Sequence, residues 1–212
     1  MCEAEQIVNE LIGEAVVWPD PRPLKAYRQG KPLDRFDVDP EEPGEGPSIG
    51  AEGDIQFTPH RPYKYRLMGR EDPTYSLAHE LVHRGQLSKA GANAEKATDS
   101  YIRRAERFLG GERSAKATAD YLGHPYELMA HAYTLAAELT AELGQAKALS
   151  QLKSGELAAG PLSSSVAHFA KELKAENPKA YQRLLRYTYD YVAKGHMPKT
   201  GPLTRAPKVR RP

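Results

Sequence analysis

The chain has 212 residues, of which 40% are hydrophobic and 27% are charged, which is enough apolar sequence to build one globular core. Its 30 basic and 28 acidic residues nearly cancel, so the charge gives no reason to expect nucleic acid or a membrane surface as the main partner. The single cysteine, Cys2, excludes an intramolecular disulfide, and no apolar run suits a membrane span or a secretory signal, so we expect a cytoplasmic protein.

The first 53 residues predict an irregular N-terminal arm. Residues 5–17 have the pattern of a short helix that leads into a strand at residues 15–18. Residues 19–53 are so dense in proline and glycine that they oppose both helix and central strand, apart from one short strand around residues 35–38. We therefore expect an arm, residues 1–53, with little regular structure.

A small β element is predicted next, ahead of a long helix. Period-two alternation at residues 54–58, repeated at residues 63–67, indicates two short strands that suit a hairpin. Asp72 is a good N-cap and Pro73 fits the first helical position, so a helix is predicted over residues 73–88.

The rest of the chain has a helical pattern. Pro125 and the pair Asn177-Pro178 are typical of helix starts, and Gly195 is typical of a helix end. Further helices are predicted over residues 93–109, 113–121, 125–143, 145–153, 163–175 and 178–194. The predicted fold class is mainly α (α+β), with one domain over residues 54–195 and a basic tail, residues 196–212, that we expect to be disordered.

One motif points to a specific chemistry. Residues 79–83 read His-Glu-Leu-Val-His, which is the HExxH pattern. Histidines at i and i+4 project from one helix face, so His79 and His83 can bind one metal ion, and imidazole is a good ligand for Zn²⁺. Glu80 lies about 100° further around the helix, beside the metal, where its carboxylate can act as general base toward a metal-activated water.

The motif needs a third ligand, because a catalytic zinc ion has three protein ligands and one water. Glu127 is favoured, since it lies in the first turn of a predicted helix that is amphipathic enough to pack against the motif helix. His131 is at i+4 from Glu127, so it can support a ligand or donate to the transition state. The other histidine candidates after the motif are His124, His168 and His196.

Two tyrosines of the last predicted helix are candidate donors. Tyr187 and Tyr191 lie at i and i+4, so they share a helix face. A tyrosine hydroxyl there could donate a hydrogen bond to the oxyanion that forms during hydrolysis. The alternative interpretation is aromatic packing in the core, with the hydroxyl groups at its rim.

An HExxH motif followed by a glutamate on a later helix resembles the zincin metallopeptidases, specifically the gluzincin branch. Residues 121–133, YLGHPYELMAHAY, look similar to the ligand helix of small phage and bacterial metallopeptidases. The resemblance implies a zincin-like helical domain. It also implies Glu80 as general base and, as zinc ligands, His79, His83 and Glu127.

The chain departs from the gluzincin pattern at two points. The separation between the motif and Glu127 is long, and His131 stands where some members have an aspartate. No Gly-x-x-His follows the motif, which excludes the metzincin branch.

These observations lead to a functional hypothesis with two rivals. The first interpretation is a zinc-dependent endopeptidase that hydrolyses a protein or peptide substrate in the cytoplasm, or in the host cytoplasm if the chain is phage-encoded. The alternative is a metal-binding but non-catalytic interaction or regulatory protein on the same scaffold. A third interpretation is a metal-free helical interaction protein in which the motif arose by chance.

Overall fold

A computed structural model gives the arrangement of most of the helical part of the chain. It describes residues 16–28, 36–37, 48–49, 55–56, 73–90, 99, 101–105, 107, 114–155, 157 and 165–195. Within these residues the protein is mainly helical, as predicted. No helix among them combines the length and the apolar character that a bilayer crossing requires.

The elements follow one another in the order helix, three very short strands, then helices. The first helix is α1 (Pro21–Arg28), and the strands are β1 (Phe36–Asp37), β2 (Ser48–Ile49) and β3 (Ile55–Gln56). The later helices are α2 (Pro73–Ala90), α3 (Ala115–Leu122), α4 (Pro125–Leu143), α5 (Gln145–Lys153), α6 (Ser165–Glu176) and α7 (Pro178–Lys194). Residues 99, 101–105 and 107 are also helical, inside the segment predicted as a helix over 93–109.

Local capping signals explain why the later helices begin and end where the sequence predicts. Ser114 and Asn177 each accept a hydrogen bond from a backbone N–H of the first turn, of α3 and α7 respectively. Gly195 closes α7 with a φ of 68°, a left-handed conformation that glycine adopts at little cost. The predictions for α2 to α7 are confirmed to within two residues at each end.

Two predictions for the arm are wrong. Residues 21–28 form helix α1, although the proline content opposed a helix there. Pro21 and Pro23 both lie in the first turn, where a backbone N–H has no intrahelical partner to lose, and Asp20 accepts a hydrogen bond from the N–H of Arg22 at 2.9 Å. The strand predicted for 15–18 is absent at residues 16–18, because side chains rather than a neighbouring strand bind the backbone of Val17.

The strands form a three-stranded set in the order β1-β3-β2. β1 pairs with β3 in parallel and β2 pairs with β3 antiparallel. β1 and β3 lie inside predicted strand segments, whereas β2 was not predicted. Each strand has only two residues, so the β element as a unit of the fold stays a prediction. The segment predicted as a strand at 63–67 and the tail 196–212 lie outside the described residues.

Helix α4 is the centre of the packing. Most of its length is buried, and it packs against α2 and against α7. Leu128, Leu135 and Leu139 are almost completely inaccessible to solvent, as the core position of their helix requires. Because α2 and α4 lie against each other, the HExxH helix and the helix of the proposed third ligand are neighbours.

Candidate metal centre

Two pairs of side chains, one on each of two packed helices, meet in a cluster that we call the histidine cluster: His79 and His83 of α2, with Glu127 and His131 of α4. The Nε2 atoms of His79 and His83 lie 3.0 Å apart. Glu127 Oε2 lies 3.4 Å from His79 Nε2, and Glu127 Oε1 lies 3.4 Å from His83 Nε2. His131 Nε2 is 3.0 Å from Glu127 Oε2. The three predicted ligands are therefore brought together, with His131 beside them.

These separations suit a small cation. Ligands on a tetrahedron with bonds of about 2.0 to 2.1 Å are about 3.3 Å from one another. The nearest donor atoms of the pairs His79–His83, His79–Glu127 and His83–Glu127 are separated by 3.0 to 3.4 Å, with Oε2 of Glu127 nearest to His79 and Oε1 nearest to His83. Donor atoms of His79, Glu127 and His131 also lie within 4.8 Å of one another, so His131 is close enough to take part. Imidazole nitrogen and carboxylate oxygen are both ligands of Zn²⁺.

Gln86 fixes the orientation of the second motif histidine. The Gln86 side-chain nitrogen donates to the carbonyl oxygen of Tyr126 at 3.2 Å, so its Oε1 faces Nδ1 of His83 at 2.9 Å. His83 must therefore carry a hydrogen on Nδ1, which leaves Nε2, directed at the cluster, as the nitrogen that can bind a metal once its own proton is released. Gln86 is completely buried, as a rigid orienting group should be.

Two tyrosines hold the carboxylate of Glu127 from the other side. The hydroxyl of Tyr101 donates to Glu127 Oε1 at 2.8 Å, and the hydroxyl of Tyr121 donates to the same oxygen at 2.9 Å. Burial, together with the charge of Glu127, raises the pKa of both phenols, so both stay protonated and remain donors.

The charges of the cluster are strongly coupled. Burial alone would raise the pKa of Glu127, but hydrogen bonds from His131, His79 and His83 hold it well below its usual range. Burial likewise opposes a charged His83, yet hydrogen bonding and attraction to Glu127 outweigh it and raise the pKa of His83 to about 9. Burial, with repulsion from His131, lowers the pKa of His79 to about 4. The metal-free cluster thus holds one carboxylate and a cation at His83.

Glu80, the predicted general base, is a buried carboxyl group beside this cluster. It is only 8% exposed. Burial raises the pKa of Glu80 to about 8, with the charge of His83 opposing the shift and that of Glu127 adding to it. A carboxyl group whose pKa is raised toward neutrality can both take up and release a proton during a reaction at neutral pH.

The other histidine candidates do not join the cluster in the described part of the chain. His124 is the N-cap of α4, where its Nδ1 accepts a hydrogen bond from the N–H of Tyr126 at 3.3 Å. It is completely buried, and burial, with the nearby Arg104, lowers its pKa to about 3. The side chain of His168, and His196 as a whole, lie outside the described residues.

The contacts described for the two predicted tyrosine donors lead elsewhere. Tyr191 donates its hydroxyl hydrogen to the carbonyl oxygen of Val17, and its ring packs edge-on against Trp18. Tyr187 is buried, with the guanidinium of Arg186 5.2 Å from its ring centre. These contacts match the alternative of aromatic packing, so the donor role of Tyr187 and Tyr191 stays a prediction without a contact to support it.

Sequence reasoning missed Gln86, Tyr101 and Tyr121. Gln86 has a local signal, because it lies at i+3 from His83 and so on the same helix face. The two tyrosines have none, since Tyr101 belongs to a helical segment 26 residues before Glu127 and only the tertiary fold brings them together.

Comparison of the chain with protein-family models, with curated proteins and with solved structures gave no match.

Proposed function

We propose that the protein is a zinc-dependent peptidase, with His79, His83 and Glu127 as metal ligands and Glu80 as general base. The observation that carries the proposal is the convergence of the two motif histidines with a carboxylate from another helix, at separations of 3.0 to 3.4 Å. A chance HExxH motif gives no reason for a buried carboxylate to face both histidines. The nitrogen and oxygen donors are those that zinc accepts in hydrolytic enzymes.

Each residue of the site has a distinct task in this proposal. A bound zinc ion would supply a Lewis acid that lowers the pKa of a water from 15.7 to about 7. Glu80 takes a proton from the attacking water on its carboxylate and passes it to the nitrogen of the leaving amine. Gln86 keeps Nε2 of His83 directed at the cluster, and the low exposure of Glu80 limits the access of bulk water to the transferred proton.

The substrate of such an enzyme is a protein or peptide, and we propose that it acts in the cytoplasm, which is the host cytoplasm if the chain is phage-encoded. The near-neutral charge of +2 gives no reason to propose a nucleic-acid substrate.

The test is the Glu80→Gln variant, assayed for zinc content and for cleavage of a peptide library. We expect zinc to be retained in full, because Glu80 is not a ligand, and hydrolysis to fall by about 10²- to 10⁴-fold, the usual contribution of a general base. Glu142→Gln is the matched control, since Glu142 is an exposed glutamate near the end of α4. Hydrolysis by Glu80→Gln at the parent rate would refute the role of Glu80.

A second candidate function rests on the position of His131. Its Nε2 lies 3.0 Å from Glu127 Oε2, and His131 forms with His79 and Glu127 a group of donor atoms within 4.8 Å of one another, so His131 is a candidate further ligand. Zinc sites closed by four protein ligands are structural rather than catalytic. This non-catalytic alternative predicts a parent protein without peptidase activity and a large loss of zinc affinity in His131→Ala. The peptidase proposal predicts that His131→Ala keeps zinc and loses part of its rate.

A further inference from the structure

The carboxylate of Glu127 presents its two oxygens to different partners. Oε1 accepts hydrogen bonds from Tyr101 and Tyr121 at 2.8 and 2.9 Å. Oε2 faces His131 at 3.0 Å and His79 at 3.4 Å. Oε1 is therefore bound to two neutral hydroxyl groups, with His83 Nε2 further away at 3.4 Å, whereas Oε2 faces imidazole nitrogens.

The two hydroxyl groups lie closer to Oε1 than His83 Nε2 does. A carboxylate oxygen has two lone pairs, and each tyrosine hydroxyl has one hydrogen to donate. Both hydrogens are used on Glu127, although this brings the two hydroxyl oxygens within 3.3 Å of each other. That arrangement is favourable only because a negative charge attracts both hydroxyl groups, and His83 Nε2 lies further from Oε1, at 3.4 Å.

The origin of the three side chains shows that the arrangement is tertiary. Tyr101 comes from the helical segment that precedes α3, Tyr121 comes from α3 itself, and Glu127 lies in the first turn of α4. The rings are held as well as the hydroxyl groups: Tyr101 packs against the ring of His83 at a centroid distance of 6.0 Å. Outer groups that hold a ligand in this way commonly set metal affinity.

We propose that Tyr101 and Tyr121 are positioning residues that occupy Oε1 of Glu127 and thereby make Oε2 the single carboxylate oxygen offered to the metal ion. This inference rests on the proposed metal site and adds to it the way in which the third ligand binds. Without the two hydroxyl groups, the carboxylate is free to rotate or to offer both oxygens. The ligand set is then less ordered before binding, and zinc affinity falls.

The experiment compares zinc affinity, measured by competition with a chromophoric chelator, in the parent, Tyr101→Phe, Tyr121→Phe and the double variant. Each substitution removes one hydroxyl and keeps the ring. We expect each single variant to bind zinc about 10-fold more weakly and the double variant up to about 100-fold more weakly, as for other outer groups of zinc ligands. X-ray absorption of the zinc-loaded double variant should show a gain of oxygen ligation.

Tyr126→Phe is the matched control. Tyr126 is also a buried tyrosine next to His83, but its hydroxyl has no hydrogen-bond partner among the described residues. Its loss should leave zinc affinity and zinc coordination unchanged. Thermal unfolding of each metal-free variant shows whether the fold is kept, and the single variants decide the outcome if the double variant does not fold.

The outcomes separate this inference from the proposed function. A parent that binds no zinc overturns both. A parent that binds zinc, together with tyrosine variants whose affinity stays within about twofold of the parent and whose coordination is the same, overturns the positioning role alone. An equal loss in Tyr126→Phe would also overturn it, since the effect would then come from any change of a buried phenol.

Discussion

Helix α4 separates two buried regions whose polar groups are arranged in opposite ways. One side carries Glu127 and His131, which face the histidine cluster. The other carries Met129, whose sulfur accepts a hydrogen bond from the N–H of Val17 at 3.3 Å, and Tyr133, which packs against Trp18. Residues two apart on a helix point about 200° apart, so this alternation sends catalytic candidates to one side and packing residues to the other.

The second region, which we call the Val17 junction, consists of Val17, Gly85, Met129 and Tyr191. Its polar groups are bound to one another: Tyr191 donates to the carbonyl oxygen of Val17, and Met129 accepts from its N–H. The histidine cluster, in contrast, gathers several buried titratable groups around one carboxylate. A junction of this kind stabilises the fold, whereas buried charge of the kind found in the cluster costs free energy and is typical of functional sites.

The largest change in stability that we expect concerns His124, the buried N-cap of the helix that carries Glu127, and its response to acid. His124 is buried with a pKa lowered to about 3, below its unfolded value near 6.5. The unfolded chain therefore binds more protons between these two values, and His124 contributes a loss of stability as pH falls through that window. The contribution is roughly 1.4 kcal/mol per pH unit at most.

His124→Asn keeps a strong N-cap and removes this titration. Urea titrations of the metal-free proteins at about pH 6 and pH 4 give the decrease in the free energy of unfolding between these two pH values. We expect this decrease to be roughly 2 kcal/mol smaller in the variant than in the parent. The decrease between the two pH values is compared rather than the absolute stabilities, because the smaller side chain also changes packing. Equal decreases in the two proteins would show that the pKa of His124 is not lowered by folding. The contrast between the buried titratable groups near the histidine cluster and the Val17 junction would then weaken.

A substitution in the Val17 junction should reduce stability and leave zinc binding unchanged. A Cβ atom on Gly85 would lie 2.6 Å from Cγ1 of Val17, far inside normal contact distance. Gly85→Ala therefore costs about 1 to 3 kcal/mol from overpacking, offset by a gain of about 1 kcal/mol in helix propensity. We expect a net loss of up to about 2 kcal/mol by urea unfolding.

The double variant Val17→Ala/Gly85→Ala tests the cause. The next nearest atom to the added Cβ is the carbonyl oxygen of Trp18, at 3.7 Å, so removal of the valine methyl groups should abolish the clash. In the Val17→Ala background, Gly85→Ala should be neutral or stabilising. A loss of zinc affinity in Gly85→Ala, two residues from His83, would mean that the two faces of α2 are coupled and not independent.

The sequence predicts the helices well and the junction poorly, for a physical reason. Helix ends depend on neighbours in the chain, such as the Asn177 cap, and the pairing of His79 with His83 depends only on helical periodicity. The run at 15–18 has the pattern of a strand, but residues 16–18 form none, and the backbone of Val17 binds side chains far away in sequence. Tyr101 likewise reaches Glu127 through tertiary packing, and no local pattern predicts that contact.

The smallest effect that we predict is at Tyr191, and it separates a packing role from the donor role that the sequence suggested. Tyr191→Phe removes the hydrogen bond to the Val17 carbonyl oxygen and keeps the ring between Trp18 and Tyr133. A lost hydrogen bond of this type costs about 1 kcal/mol. The expected result is a drop of that size by urea unfolding, with zinc affinity and peptide hydrolysis unchanged.

Tyr126→Phe is the reference for this measurement, because it removes a buried hydroxyl that makes no hydrogen bond within the described part of the chain. It should be neutral or slightly stabilising, since an unpaired buried hydroxyl is itself unfavourable. If Tyr191→Phe instead lowers the rate of hydrolysis at constant stability, Tyr191 is a donor to the reaction, and the region around Val17 belongs to the active site.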